Sequence, residues 1–192
     1  FPLFWWKSAT ANVRISIFDP YYILYHIQWV NFYNIWKYLK KSKIVEVKGE
    51  KIGLIGASPV DMFKRATHPE YHEDCHVDAL DETINDIQKE VNELRKQGVN
   101  KIVLLSHLGF EKDKLVAQRT ENIDVIVGGH THELVKGLEE NKNLFYSKTG
   151  EPVILTEAGR DGKAFGLLNL TFDKDSNSLF SAIISSPSTL YT

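Results

Sequence analysis

Three histidines are the side chains in this sequence best suited to metal chemistry. His107 ends the run KIVLLSH, and His130 and His132 follow the run IDVIVGG with one threonine between them. Neutral imidazole is a common nitrogen ligand for zinc, manganese and iron. A pair of such ions about 3.5 to 4 Å apart can hydrolyse phosphate esters, because one ion lowers the pKa of a bound water and both neutralise charge on the phosphoryl group.

The two glycines before His130 favour a ligand site at this point of the chain. Gly128 and Gly129 let the backbone turn sharply and approach a ligand without a Cβ in the way. Because they end the strand, the rings of His130 and His132 can reach neighbouring rather than identical points, which suits two adjacent ions. The residues alone leave a structural role equally open, since a bare His-x-His is common by chance.

The elements around the histidines alternate between strand and helix. KIGLIG (51–56) and KIVLLSH (101–107) are typical of short buried strands. Between them, apolar residues recur every three or four positions and predict a helix, with Asp78 as its N-cap and Gly98 at its C-terminal end. The apolar positions of this helix are Leu80, Ile84, Ile87, Val91 and Leu94. A strand–helix–strand unit implies a parallel pair with a right-handed crossover.

The alternation continues and then changes to consecutive strands. A second helix around 111–119 precedes a strand at 123–129, and strand-like runs follow at 151–158, 164–173 and 178–185. In open α/β sheets, ligands bind beyond the carboxyl ends of the strands. His107 and the pair His130 and His132 follow two such ends, so we expect the three imidazoles to converge there.

Length, composition and charge bound the class of protein. The chain has 192 residues, 43% apolar and 25% charged, which predicts one globular domain. Its 23 basic and 25 acidic side chains leave a net charge of −2, so we expect no nucleic-acid partner. Cys75 is the only cysteine, which excludes an internal disulfide. The sequence has neither a membrane-spanning apolar stretch nor a signal-peptide pattern, and we expect no membrane contact.

Residues 1–43 differ in composition from residues 44–192, and we treat them as a separate N-terminal segment. They contain all four tryptophans and much of the aromatic content. One interpretation is an amphipathic helix at a membrane interface. The favoured one is core-packing structure or an insertion, because the apolar residues follow no clean helical period. We assign this segment no function.

A second cluster of potential ligands lies in THPEYHEDCH (67–76). It contains His68, His72, Cys75 and His76, which superficially resemble a zinc site. Their spacing fits no zinc-finger pattern. A loop leading into the helix at Leu80 is the favoured interpretation.

Three strings together resemble a known family. IVLLSHLGFEKDKLVA, IDVIVGGHTHE and GEPVILTEAGRDGKAFGLLNLTFD carry the ordered motifs S-H-x-G, D-V-I-V-G-G-H-T-H and A-G-x-x-G-x-x-F-G. The stretch from about Ile44 to Asp173 resembles the 5′-nucleotidase and UDP-sugar hydrolase branch of the calcineurin-like metallophosphoesterases. The resemblance implies the second half of a four-layer α/β/β/α sandwich and hydrolysis of nucleoside monophosphates or related phosphate esters. It also implies two divalent ions such as zinc or manganese, with His107 and His130 on one and His132 on the other. A periplasmic, secreted or cell-surface location would follow.

The sequence also departs from the family's pattern. The family's Asp-x-His, Gly-Asp and Gly-Asn-His-Glu motifs, which supply the other ligands, do not precede the matching strands. We therefore expect a fragment that is inactive alone, and we assign no catalytic residue. An alternative of another class is a non-catalytic remnant or binding module that uses residues 1–43 to contact a partner or membrane. The oligomeric state stays open.

Overall fold

A computed structural model of the protein describes residues 41–47, 49–61, 77–160, 167–172 and 179–185. The three predicted metal ligands lie within these ranges. The predictions for residues 1–40 and for the cluster of His68, His72, Cys75 and His76 lie outside the described residues.

Six strands form the main sheet. They are β1 (Ser42–Val47), β2 (Glu50–Ala57), β3 (Lys101–Ser106), β4 (Val125–Val127), β5 (Leu144–Tyr146) and β6 (Pro152–Thr156), in the spatial order β1-β2-β3-β4-β6-β5. The four central strands β2, β3, β4 and β6 run parallel, and β1 and β5 pair antiparallel at the two edges. The parallel arrangement of β2 and β3 confirms the pairing predicted for the first strand–helix–strand unit.

The helix between β2 and β3, α1 (Leu80–Lys96), confirms the predicted helix with a shifted start. Its buried residues are Ile84, Ile87, Val91 and Leu94, four of the five residues that define the apolar period. The N-cap is Ala79, so the prediction of Asp78 was wrong by one residue. The Glu82 carboxylate accepts a hydrogen bond from the Ala79 backbone N–H at 3.2 Å, which satisfies a donor at the helix start.

The end of α1 is the one predicted. Gly98 has a φ of +77°. Its N–H donates to the Arg95 carbonyl at 3.0 Å, and the next N–H, of Val99, donates to the Leu94 carbonyl at 3.1 Å. This pair of bonds is the Schellman motif, in which a glycine in left-handed backbone ends the helix and satisfies its last carbonyls.

The main sheet has a helical layer on one face. The second helix, α2 (Phe110–Arg119), lies on the same face of the sheet as α1. Both helices share a buried apolar cluster with strand residues such as Ile102, Leu104 and Leu155. Successive strand residues point to opposite faces, and the intervening residues Val103, Val125 and Ile154 belong to a second apolar cluster.

A second sheet covers that other face. It consists of the antiparallel strands β7 (Leu167–Phe172) and β8 (Leu179–Ser185). Leu168, Leu170 and Phe172 of β7 pack against Val125 and Ile154 of the main sheet. The described residues therefore form successive helix, sheet and sheet layers, which confirms the α/β class and is consistent with part of the predicted sandwich. Neither α1 nor α2, the helices of the described ranges, is long and apolar enough to cross a membrane.

Strand β4 has three residues, fewer than the predicted run 123–129, although the backbones of Asp124 and Gly128 still bond to the neighbouring strands. The Asp124 carboxylate accepts a hydrogen bond from the Ile102 N–H at 2.7 Å. After Val127, Gly128 donates its N–H to the Thr156 carbonyl at 2.7 Å, and the chain leaves the sheet.

Candidate metal site at the carboxyl edge of the sheet

The parallel strands end at one edge of the sheet, and this register places the histidines. Ala57 of β2 is level with Ser106 of β3, and Val127 of β4 is level with Leu105 of β3 and Thr156 of β6. His107 follows β3 directly, and its N–H donates to the Ala57 carbonyl at 2.9 Å. His130 follows β4 after two glycines. Both residues are therefore carried to the same edge.

The rings of His107 and His130 lie side by side. Their centroids are 5.2 Å apart and their planes meet at 84°. The structure thus brings together two of the three predicted ligands, from segments that the sequence separates by a helix and a strand. Their role as metal ligands stays a prediction.

Glycine residues lie where the two rings approach each other. A Cβ on Gly129 would stand 2.9 Å from the His107 Nδ1 atom, which is closer than real Cβ atoms come. Gly109 has a φ of +100°, and a Cβ there would meet the His130 ring at 3.4 Å. Gly129 therefore leaves the room that the His107 ring occupies, and Gly109 provides the positive-φ backbone of the neighbouring loop.

His132 is placed differently from the other two histidines. The residue is exposed, whereas the His130 side chain is 10% exposed. Both residues have positive φ angles, 84° at His130 and 64° at His132, which residues other than glycine adopt infrequently. Within the described ranges, no three or more His, Cys, Asp or Glu side chains gather closely enough to hold one ion. That His132 holds a second ion stays a prediction.

An acidic residue that the sequence reasoning missed lies beside His130. The Asp61 Oδ1 atom is 3.7 Å from the His130 Nε2 atom, and the Asp61 side chain is 24% exposed. Asp61 follows the end of β2, the parallel neighbour of β3. The signal that could have found it is this position, because an acid just past a third parallel strand reaches the same edge.

Beneath the histidines lies a buried polar contact. The Ser106 hydroxyl donates to Asp113 Oδ1 of α2 and accepts the Leu108 N–H at 3.1 Å. Burial raises the pKa of Asp113 to about 7; the nearby Glu157 charge also raises it, while the Ser106 hydrogen bond and Lys112 lower it. Within the described part of the chain, the buried Asp113 Oδ2 atom has no hydrogen-bond partner. Ser106 thereby connects α2 to the loop that carries His107.

The donors at this edge can be compared with those that a metal ion requires. Two adjacent imidazoles and a nearby carboxylate supply the nitrogen and oxygen donors that zinc and manganese accept in proteins. Three donors are fewer than the four that a closed zinc site requires, and far fewer than two ions require. In its donor types the edge fits such an ion, with His107 and His130 as the residues that would hold it.

The fold is a mixed α/β sheet with two histidines at its carboxyl edge, and comparison with known proteins gives the family. The chain belongs to the calcineurin-like phosphoesterases, whose family model matches residues 10–134. That match confirms the family resemblance carried by the motifs around His107 and His130. Enzymes of this family are metal-dependent.

The relatives with similar sequences include 5′-nucleotidases. A probable 5′-nucleotidase of Treponema pallidum (strain Nichols) is 41% identical over 145 residues, covering 70% of this chain and 24% of the relative. The 5′-nucleotidase of Diplobatis ommata is 36% identical over 146 residues, covering 71% of this chain and 24% of the relative. The chain thus spans about a quarter of the length of these relatives.

Solved structures agree with the sequence comparison. The 5′-nucleotidase precursor from Thermus thermophilus superposes with a TM-score of 0.64 at 31% identity, covering 79% of this chain and 30% of that chain. The NAD nucleotidase of Haemophilus influenzae gives a TM-score of 0.62, also at 31% identity, with 79% and 30% covered.

Proposed function

We propose that this chain is part of a metal-dependent phosphoesterase that hydrolyses nucleoside monophosphates or related phosphate esters. The observation that carries the proposal is the pair of imidazole rings of His107 and His130, 5.2 Å apart at the carboxyl edge of the sheet. The nucleotidase names of the relatives support the substrate class. Relatives that include a snake venom 5′-nucleotidase of Naja atra support an extracellular location as part of the same proposal.

In this proposal His107 and His130 hold one ion and His132 contributes to a second, with zinc or manganese as the metal. When bound, such ions supply a water of lowered pKa and neutralise charge on the phosphoryl group. The chain's own residues position the donors. The Gly129 backbone leaves room for the His107 ring, and Asp61 lies against the His130 Nε2 atom and restrains that ring.

The described residues supply too few donors for two ions. Three imidazoles and Asp61 lack the bridging carboxylate that a pair of ions requires. We therefore propose that in the 192-residue chain alone the three histidines bind a single ion weakly, and that the chain releases no phosphate from esters. Its contribution to catalysis is to hold these donors in place.

Calorimetric titration of the full chain with Mn²⁺ or Zn²⁺ tests the assignment. We expect His107→Ala and His130→Ala each to weaken binding by more than the roughly 10- to 100-fold that loss of an outer-sphere partner causes. His26→Ala removes an imidazole that the proposal does not use and serves as the matched control. Unchanged binding in the His130→Ala variant would reject the assignment.

An activity assay separates this proposal from a non-catalytic binding module. The chain is mixed with a second polypeptide that carries the family's Asp-x-His, Gly-Asp and Gly-Asn-His-Glu motifs, and Mn²⁺ is added. Phosphate release from AMP or bis-p-nitrophenyl phosphate by this mixture supports the phosphoesterase, and no release favours the module. That module would use residues 1–43 for docking, of which residues 1–40 lie outside the described residues.

A further inference from the structure

Glu157 is a buried acidic residue at the edge that holds the histidines. It follows β6 directly and is 2% exposed. Its Oε2 atom accepts a hydrogen bond from the Thr131 hydroxyl at 3.0 Å, and its Oε1 atom accepts one from the Glu133 N–H at 3.0 Å. Thr131 and Glu133 are the two neighbours of His132 in sequence. One carboxylate therefore holds the chain on both sides of that histidine.

The same segment is tied down by backbone bonds. The Glu157 carbonyl accepts the Val135 N–H at 3.0 Å, and the Gly159 N–H donates to the Glu133 carbonyl at 2.7 Å. The end of β6 and the loop after His132 therefore run side by side. These backbone bonds hold only the residues after His132. The Glu157 side chain also holds Thr131, the residue before His132.

Thr131 extends the connection to the loop of His107. Its hydroxyl oxygen accepts the Phe110 N–H at 3.0 Å, at the first residue of α2. Phe110 closes the short loop that begins at His107. The chain of contacts from Glu157 through Thr131 to Phe110 thus joins the two loops that carry the predicted ligands.

The backbone of His132 needs such support. Its φ of 64° lies in the left-handed region, which residues with a Cβ adopt only at a conformational cost. Such a conformation persists only when the surrounding structure determines it. Because His132 is exposed, packing of its ring in the core does not supply this support, whereas the buried Glu157 side chain accepts a hydrogen bond on each side of it.

We propose that Glu157 is a positioning residue, which sets the direction of the His132 side chain by fixing the backbone at Thr131 and Glu133. The step from this geometry to metal binding rests on the proposed function. Glu157 acts through its two hydrogen-bond acceptor positions, and its negative charge is not what the loop requires. Glutamine has the same shape, with an oxygen that can accept the Glu133 N–H and an amide that can donate to the Thr131 hydroxyl.

The experiment compares Glu157→Ala with Glu157→Gln in the full chain, with two measurements. Amide hydrogen exchange at Glu133, in the absence of metal, reports on the backbone directly. Calorimetric titration with Mn²⁺ reports on the site. We expect Glu157→Ala to lose protection at Glu133 and to weaken Mn²⁺ binding by about tenfold, the lower end for loss of an outer-sphere partner. Glu157→Gln should restore most of both.

A double-mutant cycle with His132→Ala tests whether Glu157 acts through that histidine. In the His132→Ala background, Glu157→Ala should weaken Mn²⁺ binding no further, because the ligand that it positions is already gone. If Glu157→Ala fails to fold, Thr131→Val removes one of the two contacts while leaving Glu157 in place. It should then weaken binding in the wild-type background and not in the His132→Ala background.

Three results would contradict the positioning role of Glu157. Unchanged Glu133 exchange in Glu157→Ala, a Glu157→Gln variant as weak as Glu157→Ala, or additive losses in the cycle would each overturn the positioning role. If the wild-type chain binds no Mn²⁺, the proposed function fails, and the exchange at Glu133 still decides whether Glu157 holds the loop.

Discussion

Replacing Asp113 by asparagine should make the stability of the protein less dependent on pH. Asp113 is fully buried on α2 and receives a hydrogen bond from Ser106. Burial is the main reason that its pKa rises from 3.8 to about 7 in the folded protein. In the unfolded chain the carboxyl group is exposed to water and ionises near its ordinary value.

The sign and size of the effect follow from this difference in pKa. Between about pH 4 and pH 7 the folded protein keeps a proton that the unfolded chain has released, so the free energy of unfolding falls as the pH rises. The stabilisation is present in full below the unfolded pKa and is lost as the pH rises through the folded pKa of about 7. At about 1.36 kcal/mol for each tenfold change in the ionisation constant, the upper bound is about 4 kcal/mol.

Urea denaturation at about pH 5 and about pH 8, with EDTA present to exclude bound metal, measures this change. Asparagine can still accept the Ser106 hydrogen bond but carries no proton that titrates, so the variant should lose less stability between the two pH values than the wild type. The Asp124→Asn variant is a suitable comparison in the same assay, because burial raises the pKa of Asp124 to about 7 as well. An Asp113→Asn variant that loses as much stability as the wild type over this range would refute the reasoning.

Three further substitutions test the packing. Gly129→Ala should displace the His107 ring, because the new Cβ would stand 2.9 Å from Nδ1; unchanged His107 ring signals in NMR spectra would contradict this. Gly98→Ala should lower the free energy of unfolding by about 1 kcal/mol, since φ is +77° there, and a thermal melt equal to that of the wild type would argue against the strain. Leu104→Ala should cost about 2 to 5 kcal/mol in urea denaturation, because Leu104 is 0% exposed; a cost below about 1 kcal/mol would mean that the core collapses around the missing atoms.

The elements with a repeating apolar pattern could be predicted from the sequence. The buried residues of α1, spaced by three and four, and the apolar runs of β2 and β3 are local signals that need no knowledge of partners. Strand β5 has only three residues, of which Phe145 alone is buried, and its pairing with β6 defines it. The N-cap moved from Asp78 to Ala79 because the Glu82 side chain reaches back to the Ala79 N–H, a contact that composition does not reveal.

The candidate site could be predicted only where its residues follow strands that the sequence pattern reveals. His107 and His130 follow strands that could be recognised as buried and parallel, so their approach at one edge follows from the topology. Asp61 and Glu157 were not singled out in this way. The contact of Glu157 with Thr131 spans 26 positions in the sequence and depends on where β6 ends relative to the turn after β4. The residues that flank either acid in the sequence do not distinguish it from the other acidic residues.

The left-handed backbone at His130 and His132 opposes the stability of the loop to the metal binding that we propose for it. Glycine at either position would remove the conformational cost of the Cβ and give a loop that forms more readily. It would also remove the imidazole. The most stable sequence for this turn would therefore have no imidazole to bind an ion. Substitutions chosen to raise the thermal stability of the protein should avoid these two residues.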